Sequence, residues 1–123
     1  IEEALRYEAP KQRNFRRIKK AHTFAGVEFG ENEMVFQVIG AANRDPANVA
    51  DPETFNIHRP KIDHLSFGYG IHFCLGPSLA RMEARIVLET LLKHLPDAKL
   101  VPGSMEWQER VQFRGPGRLL IEG

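Results

Sequence analysis

The 123-residue chain contains a single cysteine, Cys74. A lone cysteine cannot close an internal disulfide, form a Cys-x-x-Cys redox pair or build a zinc site from several thiolates. The zinc-deaminase signature, which needs a paired Cys-x-x-Cys, is excluded on the same ground. An excess of charge of either sign is also missing: 17 Lys and Arg stand against 16 Asp and Glu, a net charge of +1. That balance gives no support for nucleic acid as a partner, despite the basic run from Arg13 to Lys20. No stretch approaches the roughly 20 apolar residues of a membrane span, and no signal peptide is visible. Internal repeats and low-complexity segments are lacking. There is no initiating methionine, and Ile1 opens inside a helical pattern, so the chain is expected to continue a longer one. One globular domain's worth of residues remains.

The chemistry concentrates in Phe67-Gly68-Tyr69-Gly70-Ile71-His72-Phe73-Cys74-Leu75-Gly76. Gly68 and Gly70 suit a strained bulge that brings backbone close to a flat partner. From Pro77 the pattern turns helical, so Cys74 stands just before a helix N-terminus, where amide groups and the helix dipole favour a thiolate. Such a thiolate serves as a nucleophile or a metal ligand. A cysteine hydrolase with His72, His58 or His64 as base is one reading. His72 and Cys74, two apart in a loop, are a poor match to a spatially assembled dyad. A buried structural cysteine is the other alternative.

This motif, followed by Leu79-Ala80-Arg81, resembles the haem-binding signature of the cytochrome P-450 family of haem-thiolate monooxygenases. Further segments match in the family's order. Glu3-Ala4-Leu5-Arg6 resembles its Glu-x-x-Arg helix, and Ala42-Asn43-Arg44-Asp45-Pro46 resembles a run common in soluble bacterial members. Asp51-Pro52-Glu53-Thr54-Phe55 resembles the meander before the haem loop. The resemblance covers essentially the whole chain. It implies an α+β fold class: the C-terminal portion of the mainly helical P-450 fold, with small sheets, a meander and a long helix after the ligand loop. Residues 1–123 would then be one fragment of a single domain whose N-terminal part lies elsewhere.

The resemblance also implies a role for each matched residue. Cys74 would be the axial thiolate on the iron of haem b, pushing electron density that favours O–O cleavage. Amides around Leu75 and Gly76 would donate to the sulfur. Phe67 would pack over the thiolate, Gly68 would shape the bulge, and Gly76 and Ala80 would be small so that the helix passes close beneath the porphyrin. His72 and Arg16 would bind haem propionates, arginine gripping a carboxylate bidentately. A backbone-satisfied loop histidine and a solvated strand face are the alternatives for these two. Glu3 and Arg6, neighbours at i,i+3, would form a buried pair linked to an arginine of the meander. Thr54 stands where that arginine often sits, leaving Arg44 or Arg59 as the third member. Asn14, Phe15 and Phe113 are candidate substrate contacts, with strand-core packing the competing account of both phenylalanines.

Periodicity predicts a helix ending near Tyr7 ahead of Pro10, then strands over Arg16 to Lys20, His22 to Phe24, Val27 to Phe29 and Met34 to Ile39. A short helix is expected around Ala41 to Asn48, and an irregular, proline-punctuated loop from Asp51 to Ser66. Pro77 to His94 is the strongest helix, with a broad apolar surface through Leu79, Met82, Ile86, Val87, Leu91 and Leu95. Strands are expected at Lys99 to Val101, Val111 to Phe113 and Leu119 to Ile121.

For a complete protein, the resemblance implies cytoplasmic chemistry: O2 cleavage on haem iron and hydroxylation of a small organic substrate. Electrons would come from NAD(P)H through a reductase and an iron–sulfur ferredoxin. Arg81, Lys61 and His64 are candidate contacts for that acidic partner. Family members are several times longer, so the chain taken alone is expected to be inactive. A non-catalytic haem-binding or haem-sensing module, a truncated relic, and an interaction domain without haem are the rival readings.

Overall fold

In the computed structural model, which describes residues 1–60 and 64–123, helix α1 occupies Glu2–Tyr7 and ends ahead of Pro10. Glu2 and Glu3 in its first turn and Arg6 in its last oppose the helix dipole at both ends. Strand β1 (Arg13–Arg17) then pairs antiparallel with β4 (Met34–Val38), Phe15 facing Phe36 edge-on at 4.9 Å between ring centroids. The strand begins three residues before the expected Arg16. Its start is set by the partner ladder, which runs from Arg13 opposite Val38 to Arg17 opposite Met34. Between them lies the hairpin of β2 (His22–Phe24) and β3 (Val27–Phe29). Ala25 and Gly26 turn it with φ of 49° and 78°, the doubly left-handed two-residue turn that matches strand twist.

Helix α2 is only Ile39–Ala42, not the expected Ala41 to Asn48. The Asp45 carboxylate accepts from the Ala47 amide at 2.9 Å, and Pro46 cannot continue a helical ladder, so the chain turns away. The meander and Cys loop follow, with one short 3-10 turn at Gly70–His72. Helix α3 spans Pro77–His94 as expected, with Pro at its start where a missing amide is harmless.

The C-terminal strands differ most from expectation. They are β5 (Lys99–Leu100), β6 (Glu106–Trp107), β7 (Pro116–Arg118) and β8 (Ile121–Glu122), paired β5 with β8 and β6 with β7. Val111 to Phe113 is not a strand; Phe113 makes one isolated bridge to Lys11. Pro116 and Gly117 lie in β7, ahead of the strand expected at Leu119 to Ile121. A two-stranded ribbon has only edge strands, so a proline without a ladder amide is tolerated.

Little of the interior is apolar. Among the described residues Ala9, Ile39 and Val49 are the buried hydrophobic ones, alongside the polar Glu3, Arg6, Asn14 and Asn43. Helix α3 buries no residue fully; Leu79, Met82, Ile86 and Val87 stay about half-exposed. No helix of the described residues is long and apolar enough to cross a membrane.

Candidate functional site

Two left-handed glycines fold the loop that carries Cys74. Gly68 (φ 77°) and Gly70 (φ 68°) adopt backbone that L side chains rarely take, and a Cβ on Gly68 would also sit 3.4 Å from the His72 carbonyl. The loop closes when the Cys74 amide donates to the Phe67 carbonyl at 2.8 Å. Cys74 is exposed, just ahead of α3, among the exposed apolar side chains of Tyr69, Ile71, Phe73 and Leu75. Gly76 has neither a left-handed φ nor a neighbour within 4 Å of an added Cβ. Room is therefore left at the start of α3 that this chain's own packing does not use. Ala80, half-buried one turn on, donates its amide to the Gly76 carbonyl at 3.0 Å.

The loop is anchored from behind by a buried ion network. Arg6, with no exposed surface, grips Glu3 with both arms of its fork, Nε to Oε2 and Nη2 to Oε1, each at 2.8 Å. Its other N–H groups donate to the carbonyls of Pro52 (2.9 Å), Thr54 (3.1 Å) and Asn43 (3.3 Å). The third member of the network is Arg59: its Nε reaches Glu3 Oε1 at 3.3 Å, and its remaining donors go to the carbonyls of Ala50, Asp51 and Thr54. Arg44 is engaged elsewhere, stacked 4.1 Å over the Tyr7 ring and paired with Glu53 at 2.8 Å. Alanine at Arg59 is therefore expected to destabilise by about 1–3 kcal/mol, because a buried carboxylate loses a charged donor. Alanine at the partly exposed Arg44 should cost about 1 kcal/mol or less from its ion pairs. Denaturant midpoints of the two variants of the complete protein decide this; equal losses would place Arg44 in the network.

Asn43 was legible in the sequence only as part of a resembling run, and the structure shows its work. It is buried at the end of α2, where its Oδ1 accepts from the Leu65 amide at 2.7 Å and its Nδ2 donates to Ser66 Oγ at 2.9 Å. Ser66 Oγ in turn donates to the Leu5 carbonyl at 2.6 Å. Helix α1 and the segment leading into the Cys loop are thus tied through one amide side chain.

Glu2, adjacent to Glu3, holds a second cluster. Arg81 of α3 donates to its two oxygens from Nε and Nη2, both at 2.7 Å, and stacks 4.6 Å over the Phe67 ring. His64 Nε2 lies 3.1 Å from Glu2 Oε2. Arg81 and His64, both candidate contacts for an acidic partner, are thus each paired with Glu2. The Arg81 fork is occupied, and the His64 side chain is only 4% exposed. Lys61, the third candidate, lies outside the described residues.

Both carboxylates sit well below the ordinary range. The Arg6 fork holds Glu3 at about 2 against the desolvation that opposes it, and the Arg81 fork does the same for Glu2, also about 2. A depressed carboxylate contributes stability that is complete above its unfolded value of about 4.5 and lost as pH falls through the folded one. Stability of the complete protein is therefore expected to drop between about pH 4.5 and 2, and Glu3→Gln should flatten that stretch of the profile. An unchanged acid limb in urea titrations at stepped pH would exclude Glu3 as a cause.

A cavity of about 470 Å³ joins Asn14 and Arg16 of β1 to Gly68, Tyr69, Ile71 and His72 of the Cys loop. His72 is exposed on its rim, and Arg16 donates one N–H to the Phe15 carbonyl at 2.8 Å. The structure thus brings together Arg16, His72 and Asn14. Phe15 points to the opposite face of the strand by alternation and packs on Phe36, and Phe113 lies at the bridge to Lys11; neither lines this cavity. An exposed cysteine on a loop of exposed apolar residues, near a cavity lined by an arginine and a histidine, suits a flat apolar group that carries carboxylates.

The family model described as Cytochrome P-450 matches residues 1–110. The chain is 43% identical over 124 residues to Cytochrome P-450 107B1 of Saccharopolyspora erythraea, covering 98% of this chain and 31% of that protein. It is 44% identical over 113 residues to the biotin biosynthesis cytochrome P-450 of Bacillus subtilis, covering 92% and 28%. The solved structure of the Bacillus subtilis bacillaene polyketide synthase cytochrome P-450 PksS superposes with a TM-score of 0.92 at 41% identity, over 98% of this chain and 32% of that one. The chain spans about a third of the length of these relatives. Proteins of the family carry haem b, iron protoporphyrin IX, the flat dicarboxylate that the site's donor set suits. By sequence and by fold, this chain belongs to the cytochrome P-450 family.

Proposed function

We propose that residues 1–123 are the C-terminal, proximal part of a haem-thiolate monooxygenase, with Cys74 as the axial ligand of haem iron. The observation that carries this reading is Cys74 itself, exposed on a loop folded by two left-handed glycines, beside a cavity that joins Arg16 to His72. When bound, the haem supplies O2 activation and the insertion of one oxygen atom into a C–H bond of a small organic substrate. The chain's own residues hold and shape that group. Arg16 and His72 take its propionates, Gly76 and Ala80 keep the start of α3 low, and Phe67 and Gly68 fix the loop around the sulfur. Asn14, on the face of β1 shared with Arg16, is placed to touch a propionate or the edge of the substrate. The half-exposed apolar face of α3 is the surface against which the rest of the P-450 domain packs. Electrons reach the complete, cytoplasmic protein from NAD(P)H through a reductase and a ferredoxin. Taken alone, these residues do not hydroxylate.

The test is a haem titration of the complete protein read by its ferrous–CO spectrum. A thiolate-type band is expected; an imidazole-type band would move the ligand to a histidine and overturn the reading. Alanine at Arg16 should weaken haem retention about tenfold, the worth of one charge-assisted bidentate grip. Retention equal to wild type would take Arg16 out of the site.

A further inference from the structure

Glu2 lies outside the Glu3–Arg6 pair and outside every residue that would touch haem, yet side chains from two other segments converge on its carboxylate. Arg81 comes from α3, His64 from the end of the meander, and Glu2 itself from α1. The Arg81 guanidinium is fixed at both carboxylate oxygens and at the same time covers the Phe67 ring, with the His64 ring 5.8 Å from the other ring's centroid. Phe67 is the residue whose carbonyl takes the Cys74 amide, so whatever orients Phe67 orients the hydrogen bond that closes the ligand loop.

We propose that Glu2 is a positioning residue for the Cys74 loop, acting through Arg81 and Phe67: its carboxylate holds the guanidinium over the ring and so clamps α3 to the limb of the loop opposite the cysteine. Two successive acidic residues on one helical turn then divide the anchoring. Glu3 holds Arg6 and, through it and Arg59, the meander, while Glu2 holds the haem loop to α3. Arginine is needed rather than lysine, because only a planar fork can lie on a ring and meet two oxygens in the same plane. The clamp is built from half-exposed groups, so its effect is on geometry more than on global stability.

The inference rests on Cys74 ligating haem, and the experiment separates the two. It uses the complete haem-loaded protein in wild type, Glu2→Gln, Arg81→Gln, the double variant and Arg81→Lys. A wild type without a thiolate-type ferrous–CO band would refute the haem-thiolate reading before any variant is compared. With that band present, two quantities are measured: its rate of decay at elevated temperature, and the ferric–ferrous midpoint potential. Positioning predicts that both single variants speed the decay several-fold and shift the potential in the same direction. The double variant should be no worse than either single one, and Arg81→Lys should behave like Arg81→Gln. A long-range charge effect alone would move the potential in opposite directions for Glu2→Gln and Arg81→Gln, which overturns the proposal. Wild-type values in both single variants, additive losses in the double variant, or full rescue by lysine would overturn it as well.

Discussion

Replacing Arg6 with alanine is expected to destabilise the complete protein by about 3–5 kcal/mol, the penalty typical of leaving one partner of a buried ion pair behind. Arg6 has no exposed surface, and its guanidinium is the chief counter-charge of a carboxylate that is itself almost fully buried. After truncation Glu3 would keep the Asn56 amide at 2.9 Å and the longer contact from Arg59 at 3.3 Å, which do not replace a bidentate fork. The carbonyls of Asn43 and Pro52 would lose the guanidinium donors that now bind them, and α1 would lose its hold on the meander. A loss of this size is a large share of the roughly 5–15 kcal/mol by which domains are stable, so haem-loaded protein should fall sharply in yield. Arg6→Lys should recover little, since one ammonium cannot span two carboxylate oxygens and three carbonyls at once. Denaturant unfolding of wild type and both variants decides the matter; a loss under about 1 kcal/mol for Arg6→Ala would mean the pair is screened like a surface bridge.

The second large effect is expected from Cys74→Ser. The side chain is the only thiol in the chain, and no cluster of three or more His, Cys, Asp or Glu suited to a metal occurs among the described residues. Serine is nearly isosteric and leaves the loop intact, because the closing bond runs from the Cys74 amide to the Phe67 carbonyl and involves no side chain. The protein should therefore fold and still take up haem through Arg16, His72 and the apolar surround, with retention lowered and the thiolate-type ferrous–CO band gone. Hydroxylation should be abolished. A thiolate-type band that survives in Cys74→Ser would exclude this cysteine as the ligand.

The pattern of what was legible follows from how local each feature is. The glycines of the Cys loop declare themselves because left-handed backbone is a property of single residues, and both Gly68 and Gly70 adopt it. Helix α3 is equally local: a proline at its first position and a sustained apolar period define Pro77–His94 without help from neighbours. The short strands were less legible. The start of β1 depends on the register of β4, and β7 accepts a proline and a glycine because its ribbon has no interior strand.

The site divides along the same line. Cys74, its glycine frame and the i,i+3 spacing of Glu3 and Arg6 belong to the sequence, because each is set by neighbours along the chain. The choice of Arg59 over Arg44, the linking role of Asn43 and the capture of Arg81 by Glu2 belong to the tertiary structure. Those contacts join residues up to 79 positions apart, and a side chain's reach across such a gap is decided by how helices and loops pack, which no local spacing encodes.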